Sequence, residues 1–205
     1  MNYDKGFDEV IVELFGSRIS DDELRARVNK RIGGSTLFQL MFSFPNDIAN
    51  ATRLLVEYGA DPNGVDDCGG TNLSTVLDAY SNFDEKVCPL LDLLISRGVD
   101  LEKLFPTRRL GVNFRATPLE YAYDAELVQC AQKLIRHGAN LWCLPLYTTS
   151  TRQAQIIDYV DVIKRRIEST RQACCALWTL QWIPHDLRRI LMRQVWAERR
   201  NEKWG

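Results

Sequence analysis

The stretch Leu54-Leu55-Val56-Glu57-Tyr58-Gly59-Ala60-Asp61 decides how this chain is read, because it returns twice. Leu93-Leu94-Ile95-Ser96-Arg97-Gly98-Val99-Asp100 and Lys133-Leu134-Ile135-Arg136-His137-Gly138-Ala139-Asn140 repeat its order of apolar pair, mostly polar pair, glycine, small or branched residue, and Asp or Asn. Self-similarity at such intervals is the mark of a chain built from stacked units. Gly59, Gly98 and Gly138 each follow an apolar stripe, where a glycine suits a left-handed helix stop.

Upstream of each copy lies a second shared element: Ser35-Thr36-Leu37, Thr71-Asn72-Leu73 and Thr117-Pro118-Leu119. Ser35, Thr71 and Thr117 are suited to accept a bond from an orphan amide of a first helical turn. Pro118 then stands at the first helical position, where its missing N–H costs nothing. Leu37, Leu73 and Leu119 begin an apolar stripe. Each unit therefore reads as helix, short turn, helix and a glycine-ended exit. Breaker and polar residues at Ser43-Phe44-Pro45-Asn46 and Tyr80-Ser81-Asn82-Phe83-Asp84 predict longer loops between the paired helices of the first two units.

Arg115-Ala116-Thr117-Pro118-Leu119-Glu120-Tyr121-Ala122 and Leu54 through Asn63 resemble the two halves of the ankyrin repeat, Gly-x-Thr-Pro-Leu-His-x-Ala and Leu-Leu-x-x-Gly-Ala-Asp. The resemblance spans about Gly33 to Leu141. In place of the histidine, the aligned positions read Phe38, Ser74 and Glu120. It implies an all-α ankyrin-repeat solenoid of about three repeats, with an N-terminal helical cap and a C-terminal helical extension. The expected divisions are 1–32 for the cap, 33–149 for the repeats and 150–205 for the tail.

The ends of a short array expose apolar faces and need covers. Phe7, Val10, Ile11, Leu14 and Phe15 share one helical face. Ser20-Asp21-Asp22-Glu23 reads as a capping box ahead of Leu24, Val28 and Ile32. Ser150-Thr151-Arg152-Gln153 reads likewise ahead of Ile156, Val160, Ile163 and Ile167, a helix suited to seal the third unit. Beyond Ser169 the pattern changes: Ala173, Ala176, Leu177 and Leu180 form one stripe, Pro184 interrupts it, and Leu187, Ile190, Leu191 and Val195 form the next. Trp178, Trp182, Trp196 and Trp204 crowd this region, and Trp142 lies at the end of the third unit. The aromatic stripes either pack among themselves or meet a partner.

Ile183-Pro184-His185-Asp186-Leu187-Arg188-Arg189-Ile190-Leu191 resembles the opening of an F-box, as found at the C-termini of ankyrin proteins of large DNA viruses. The helix, proline-led break and helix also resemble a SOCS box, although Thr170 and Arg171 stand where that box has leucine before its cysteine. Either resemblance implies recruitment of a Skp1-, elongin- or cullin-type protein, with Trp182, Pro184, Leu187, Ile190, Leu191 and Trp196 as the adaptor contacts. In that case the protein is a substrate-recruiting adaptor for a cullin-type ubiquitin ligase, acting in the cytoplasm or nucleus, including that of an infected host cell. The alternative is a structural or assembly component held permanently by other subunits.

Charge and composition bound the remaining classes. The net charge is -1, and 45% of the residues are hydrophobic and 26% charged, a balance typical of folded domains. From Lys164 onward ten Lys and Arg face four Asp and Glu, so the tail is basic and the rest acidic. Nucleic acid is nevertheless not expected as a partner, nor is a membrane. The N-terminus opens no apolar run of the kind a secretory signal carries. Cys68, Cys88, Cys130, Cys143, Cys174 and Cys175 include no Cys-x-x-Cys pair, and His137 and His185 lie far apart, so no metal or cofactor site is predicted. The sequons at Asn50 and Asn72 have no meaning without secretion. No phosphate loop, nucleophile elbow or paired metal motif is present, and His185 and Asp186 near Cys174 and Cys175 have nothing to activate them. An enzyme is not expected.

Family usage places ligands on the concave face: the hairpin fingers between repeats and the free side of each first helix. This maps onto Asn63 to Cys68 and Glu102 to Phe114, and onto Glu120 and Tyr123 of the third first helix. Asp66 and Asp67 read as hairpin turn residues. The enlarged second finger carries Lys103, Phe105, Arg108, Arg109 and Phe114, two aromatics with three cations. They either anchor an acidic, partly apolar ligand, or the aromatics tuck under the loop while the cations stay in water.

Overall fold

The stripe of Phe7, Val10 and Ile11 folds as α1 (Phe7–Phe15) and is buried, and Ser20 starts α2 (Asp21–Arg27) by accepting the Glu23 N–H at 3.2 Å. These observations come from a computed structural model that describes residues 6–44, 47–79, 84–107, 114–144 and 148–179, with Leu187 and Leu191 beyond them. The chain divides into two compact units, Met1–Gln153 and Ala154–Gly205.

In the first unit, two short strands, β1 (Arg31–Ile32) and β2 (Ser35–Thr36), pair antiparallel across Gly33-Gly34. Both glycines have positive φ, +59° and +89°, the geometry of the tight hairpin turn whose twist matches the strands. Three helix pairs follow. The first is α3 (Leu37–Met41) with α4 (Asp47–Glu57), and the second is α5 (Asn72–Ala79) with α6 (Asp84–Ser96). Before the third pair comes the hairpin of β3 (Phe105–Thr107) and β4 (Phe114–Ala116), which registers Phe105 against Ala116. The third pair is α7 (Pro118–Asp124) with α8 (Val128–Arg136). The pairs stack: α5 lies against α3 and α7, and α6 against α4 and α8. The described residues are predominantly helical, an all-α arrangement.

Tertiary packing carries these helices, since pieces of five to eight residues do not persist alone in water. The leucines of the second helices supply the packing. Leu54, Leu55, Leu90, Leu91, Leu94 and Leu134 are fully buried with Leu37, Leu73 and Leu119 of the first helices, each worth about 1.5–3 kcal/mol of apolar transfer. The sequons are part of the same interior, Asn50 and Asn72 being buried.

The helix starts follow one scheme, and it corrects the sequence reading at one residue. Thr71 and Thr117 cap α5 and α7 as expected, but α3 is capped by Thr36, not Ser35. The first unit therefore shifts by one position, and Gln39, not Phe38, stands where the repeat consensus has histidine. The three residues at that position do the same work. Gln39 Oε1 accepts the Thr36 N–H at 2.9 Å, Ser74 Oγ the Thr71 N–H at 2.9 Å, and Glu120 Oε2 the Thr117 N–H at 2.7 Å. Each threonine hydroxyl returns a bond by accepting the N–H of Gln39, Ser74 or Glu120. Two of the orphan donors at each helix start are thereby satisfied.

The helix stops are also common to the three pairs. Gly59, Gly98 and Gly138 have φ of +71°, +79° and +96°, and the next residue's N–H reaches back to Leu54, Leu94 or Leu134. A side chain at these glycines would be strained by the left-handed backbone. At the N-terminal end an aromatic cluster fixes α1 and α2 to α4. Phe7 stacks on Tyr58 with centroids 5.5 Å apart, the Arg53 guanidinium lies 4.4 Å from the Phe7 centroid, and the Tyr58 hydroxyl donates to Asp21 at 3.0 Å. Burial, followed by that bond to Asp21, pushes the Tyr58 phenol above its ordinary range.

The second unit is led by α9 (Thr151–Thr179), which begins at the boundary and runs unbroken through Ser169. Gln153 donates its N–H to Ser150 at 3.1 Å, but its side chain turns to the Thr149 N–H and hydroxyl, so the predicted box is only half formed. Ile156, Val160 and Ile163 are buried. Ile167 is 39% exposed, which corrects the predicted stripe; burial resumes at Thr170 and Cys174. Seven residues, two helical turns, separate Ile163 from Thr170, and the Thr170 hydroxyl meets its need for an acceptor at the Arg166 carbonyl, 2.8 Å away. Further on Ala173 is half-buried and Ala176 exposed, while Leu177 and Leu180 lie outside the described side chains. No helix among the described residues is long and apolar enough to cross a membrane.

Candidate protein-binding surface

Asp61, Asp100 and Asn140, the last residues of the repeated stretch, each close the turn that leaves a second helix. Their side chains accept the N–H two positions on, at Asn63 (2.8 Å), Glu102 (2.9 Å) and Trp142 (3.0 Å). These are side-chain mimics of a backbone turn. They hand the chain to the residue that grips the following unit. Asn29 Oδ1 accepts the Asp61 N–H at 2.7 Å while its Nδ2 donates to the Gly59 carbonyl at 3.3 Å. Asn63 repeats this with Asp100 N–H (2.7 Å) and Gly98 carbonyl (3.1 Å). Glu102 keeps only the accepting half, with Asn140 N–H at 2.7 Å. At the corresponding place after Asn140 stands Trp142, 75% exposed.

This ladder holds the hairpins side by side as a row. The middle one is closed by Asp66, whose Oδ1 accepts the N–H groups of Cys68 and Gly70 at 2.8 Å each, and whose own N–H donates to the Gly70 carbonyl. Asp67 joins it to the first hairpin, donating its N–H to the Gly34 carbonyl at 2.9 Å and pairing with Arg31. On the other side Gly69 abuts the third hairpin, since a Cβ there would meet the Arg115 guanidinium at 3.4 Å and the Pro106 ring at 3.6 Å. Arg31, Asp67, Cys68, Leu104, Pro106 and Arg115 are exposed along the row. The adjoining α3, α5 and α7 contain no Lys or Arg but do contain Asp78, Glu120 and Asp124. Arg31, paired with Asp67, and Arg115 thus border a helical face whose charged residues are all acidic. A cleft of about 230 Å³ opens at the base of the first two hairpins, between Arg31, Thr36, Asp61, Asn63 and Asn72.

The predicted site residues fare unevenly. Asp67 is exposed and Asp66 forms the turn, as read. Lys103 is half-buried, its ammonium 3.5 Å from the Asn63 carbonyl. Phe105 is 1% exposed and packs on Tyr121 with centroids 5.6 Å apart, so it belongs to the interior and is no ligand anchor. The strand alternates, with Phe105 and Thr107 inward and Leu104 and Pro106 outward. Tyr123 is 6% exposed and is also withdrawn from a ligand's reach. Glu120 is engaged as the partner of Thr117. Arg108 and Arg109 lie outside the described residues, as does the side chain of Phe114. In the tail, Leu187 is 47% exposed and Leu191 half-buried. Trp182, Pro184, Ile190 and Trp196 lie outside the described residues.

Sequence reasoning missed the first hairpin, assigning residues up to Ile32 to a cap. Gly33-Gly34 between Ile32 and Ser35 was the available signal. It also missed the outward Leu104, because alternation cannot be phased until the pairing register is known.

All six cysteines are free. Burial pushes the Cys143 thiol upward, a hydrogen bond with Thr117 opposing, which keeps it a protonated thiol at neutral pH. Among the described residues no cluster of three or more His, Cys, Asp or Glu is placed to hold a metal ion. No protein-family model and no curated protein matches the chain.

Proposed function

We propose that residues 33–149 form an ankyrin-repeat solenoid whose row of hairpins and first helices binds another protein, and that the C-terminal tail joins the complex to a cullin-type ubiquitin ligase as an adaptor. The observation that carries the binding reading is the hairpin row itself. Three turns are held in register by Asn29, Asn63 and Glu102 and present exposed Arg31, Asp67, Leu104, Pro106 and Arg115 on one edge. A preorganised row loses little ordering entropy on binding. Arg31 and Arg115 are of the residue type enriched where interface binding energy concentrates, and exposed Leu104 and Pro106 add apolar surface beside them. The adaptor reading rests on Ile183 through Leu191 in the sequence, and exposed Leu187 is compatible with it.

Affinity capture from cell extract with the full chain, the Arg31→Glu/Arg115→Glu variant and a chain lacking residues 182–205 tests both parts. The reading expects the double variant to lose its substrate-side partner. It expects the shortened chain to keep that partner and lose any Skp1-, elongin- or cullin-type protein. Identical partner sets from all three proteins would end it.

A further inference from the structure

Asn63 is followed by Gly64, the pairing that leaves an asparagine side chain least shielded from the next backbone nitrogen, since glycine has no Cβ. Asn63 is also the central rung of the ladder, and its two side-chain bonds differ in kind. Oδ1 accepts from Asp100 N–H at 2.7 Å, and Nδ2 donates to the Gly98 carbonyl at 3.1 Å. The Gly64 N–H is itself engaged with the Asp61 carbonyl at 3.2 Å. We propose that Asn63 is a deamidation site guarded by this clamp, and that its conversion to a carboxylate uncouples the second helix pair from the first.

The chemistry needs only water. When the turn opens, the deprotonated Gly64 nitrogen attacks Asn63 Cγ. The N–Cγ bond forms, the Cγ–Nδ2 bond breaks, and ammonia leaves with the proton lost from Gly64. Water then opens the cyclic imide at one carbonyl or the other, giving aspartate or β-linked isoaspartate. While the clamp is shut, the amide is fixed at both ends and the attacking N–H is hydrogen-bonded, so the reaction waits on local opening.

The product damages the joint in a definite way. An amide both donates and accepts, whereas an ionised carboxylate only accepts. Aspartate 63 would keep the bond from Asp100 N–H but set its second oxygen against the Gly98 carbonyl. The isoaspartate form would also lengthen the turn backbone. Asn29, the preceding rung, has the same double grip but is followed by Lys30, and the third rung, Glu102, is already a carboxylate that only accepts. Of the three, Asn63 alone combines a donor to lose with a glycine to attack it.

The full chain is incubated at mildly alkaline pH, folded and in urea, and peptide mass spectrometry with isoaspartate detection follows Asn63 and Asn29. The proposal expects product at Asn63 before Asn29, with formation at least about tenfold faster in urea, as for a site exposed only by opening. Separately, Asn63→Asp should lower Tm by about 3 °C, the shift for one lost hydrogen bond in a chain this size. Equal rates folded and unfolded would remove the guarding clamp, no product at Asn63 in the folded chain would remove the site, and an unchanged Tm for Asn63→Asp would remove the uncoupling.

Discussion

Replacing Asn72 by proline makes the second unit match the repeat consensus, yet the structure says it will destabilise the protein. Asn72 is the first residue of α5, the place that Pro118 holds in α7. A proline at that position normally fits, and by stiffening the unfolded chain it contributes about 0.4–1 kcal/mol. Here the residue is 1% exposed and makes three bonds. Its N–H donates to the Gly64 carbonyl at 3.0 Å, its Nδ2 to the Asp61 carbonyl at 2.7 Å, and its Oδ1 accepts the Thr36 hydroxyl at 2.7 Å. The Asp61 carbonyl retains the Gly64 N–H, but the buried Thr36 hydroxyl keeps only the bond it accepts from the Gln39 N–H and loses the acceptor for its own hydrogen. At about 1 kcal/mol per bond the three sum to about 3 kcal/mol. Subtracting the proline gain leaves a loss of about 2–3 kcal/mol. Asn72→Ala, which keeps the N–H, should lose about 2 kcal/mol. Urea unfolding followed by circular dichroism measures both, with unchanged m confirming that stability rather than compactness moved. A proline variant as stable as the parent, or more so, would refute the assignment of Asn72 as a tie between the first two helix pairs.

Three other expectations follow from the same contacts. Phe105→Ala should cost about 3–5 kcal/mol as a core truncation, whereas Arg115→Ala should change stability by less than about 0.5 kcal/mol; thermal melts of the pair separate interior from rim. Gly138→Ala should cost about 1 kcal/mol or more because its φ is +96°, read as a lowered urea midpoint. Hydrogen bonds from Arg171, then from Gln172, hold the Glu168 carboxyl below its ordinary range. A depressed folded pKa stabilises above the unfolded value and is lost as pH falls through the folded one. The Glu168 side-chain resonance should therefore titrate below that of a free glutamate and move part of the way back in Arg171→Gln, where the Gln172 bond remains.

Much of the fold was legible because its punctuation is local. A glycine after an apolar stripe and a threonine before one announce a helix end and a helix start without reference to the rest of the chain, and Gly59, Gly98, Gly138, Thr71 and Thr117 served as read. The error at Ser35 arose because two neighbouring hydroxyl residues compete for one cap, and only the reach of Gln39 back to the Thr36 N–H decides between them. The site was less legible. Whether Phe105 faces water depends on strand register, and the clamp at Asn29, Asn63 and Glu102 joins residues more than thirty positions apart. Ile167 fits an i, i+4 pattern after Ile163, but a stripe drifts around a 29-residue helix and the buried line passes to Thr170 instead.

The most direct test is hydrogen–deuterium exchange of the full chain, free and bound to the protein it captures. The account predicts that protection on binding falls on residues 31–36, 65–71, 104–107 and 114–116, with neighbouring protection on α3, α5 and α7. Protection confined to the outward sides of α4, α6 and α8, or to α9 and the residues after it, with the hairpin row exchanging as before, would contradict it.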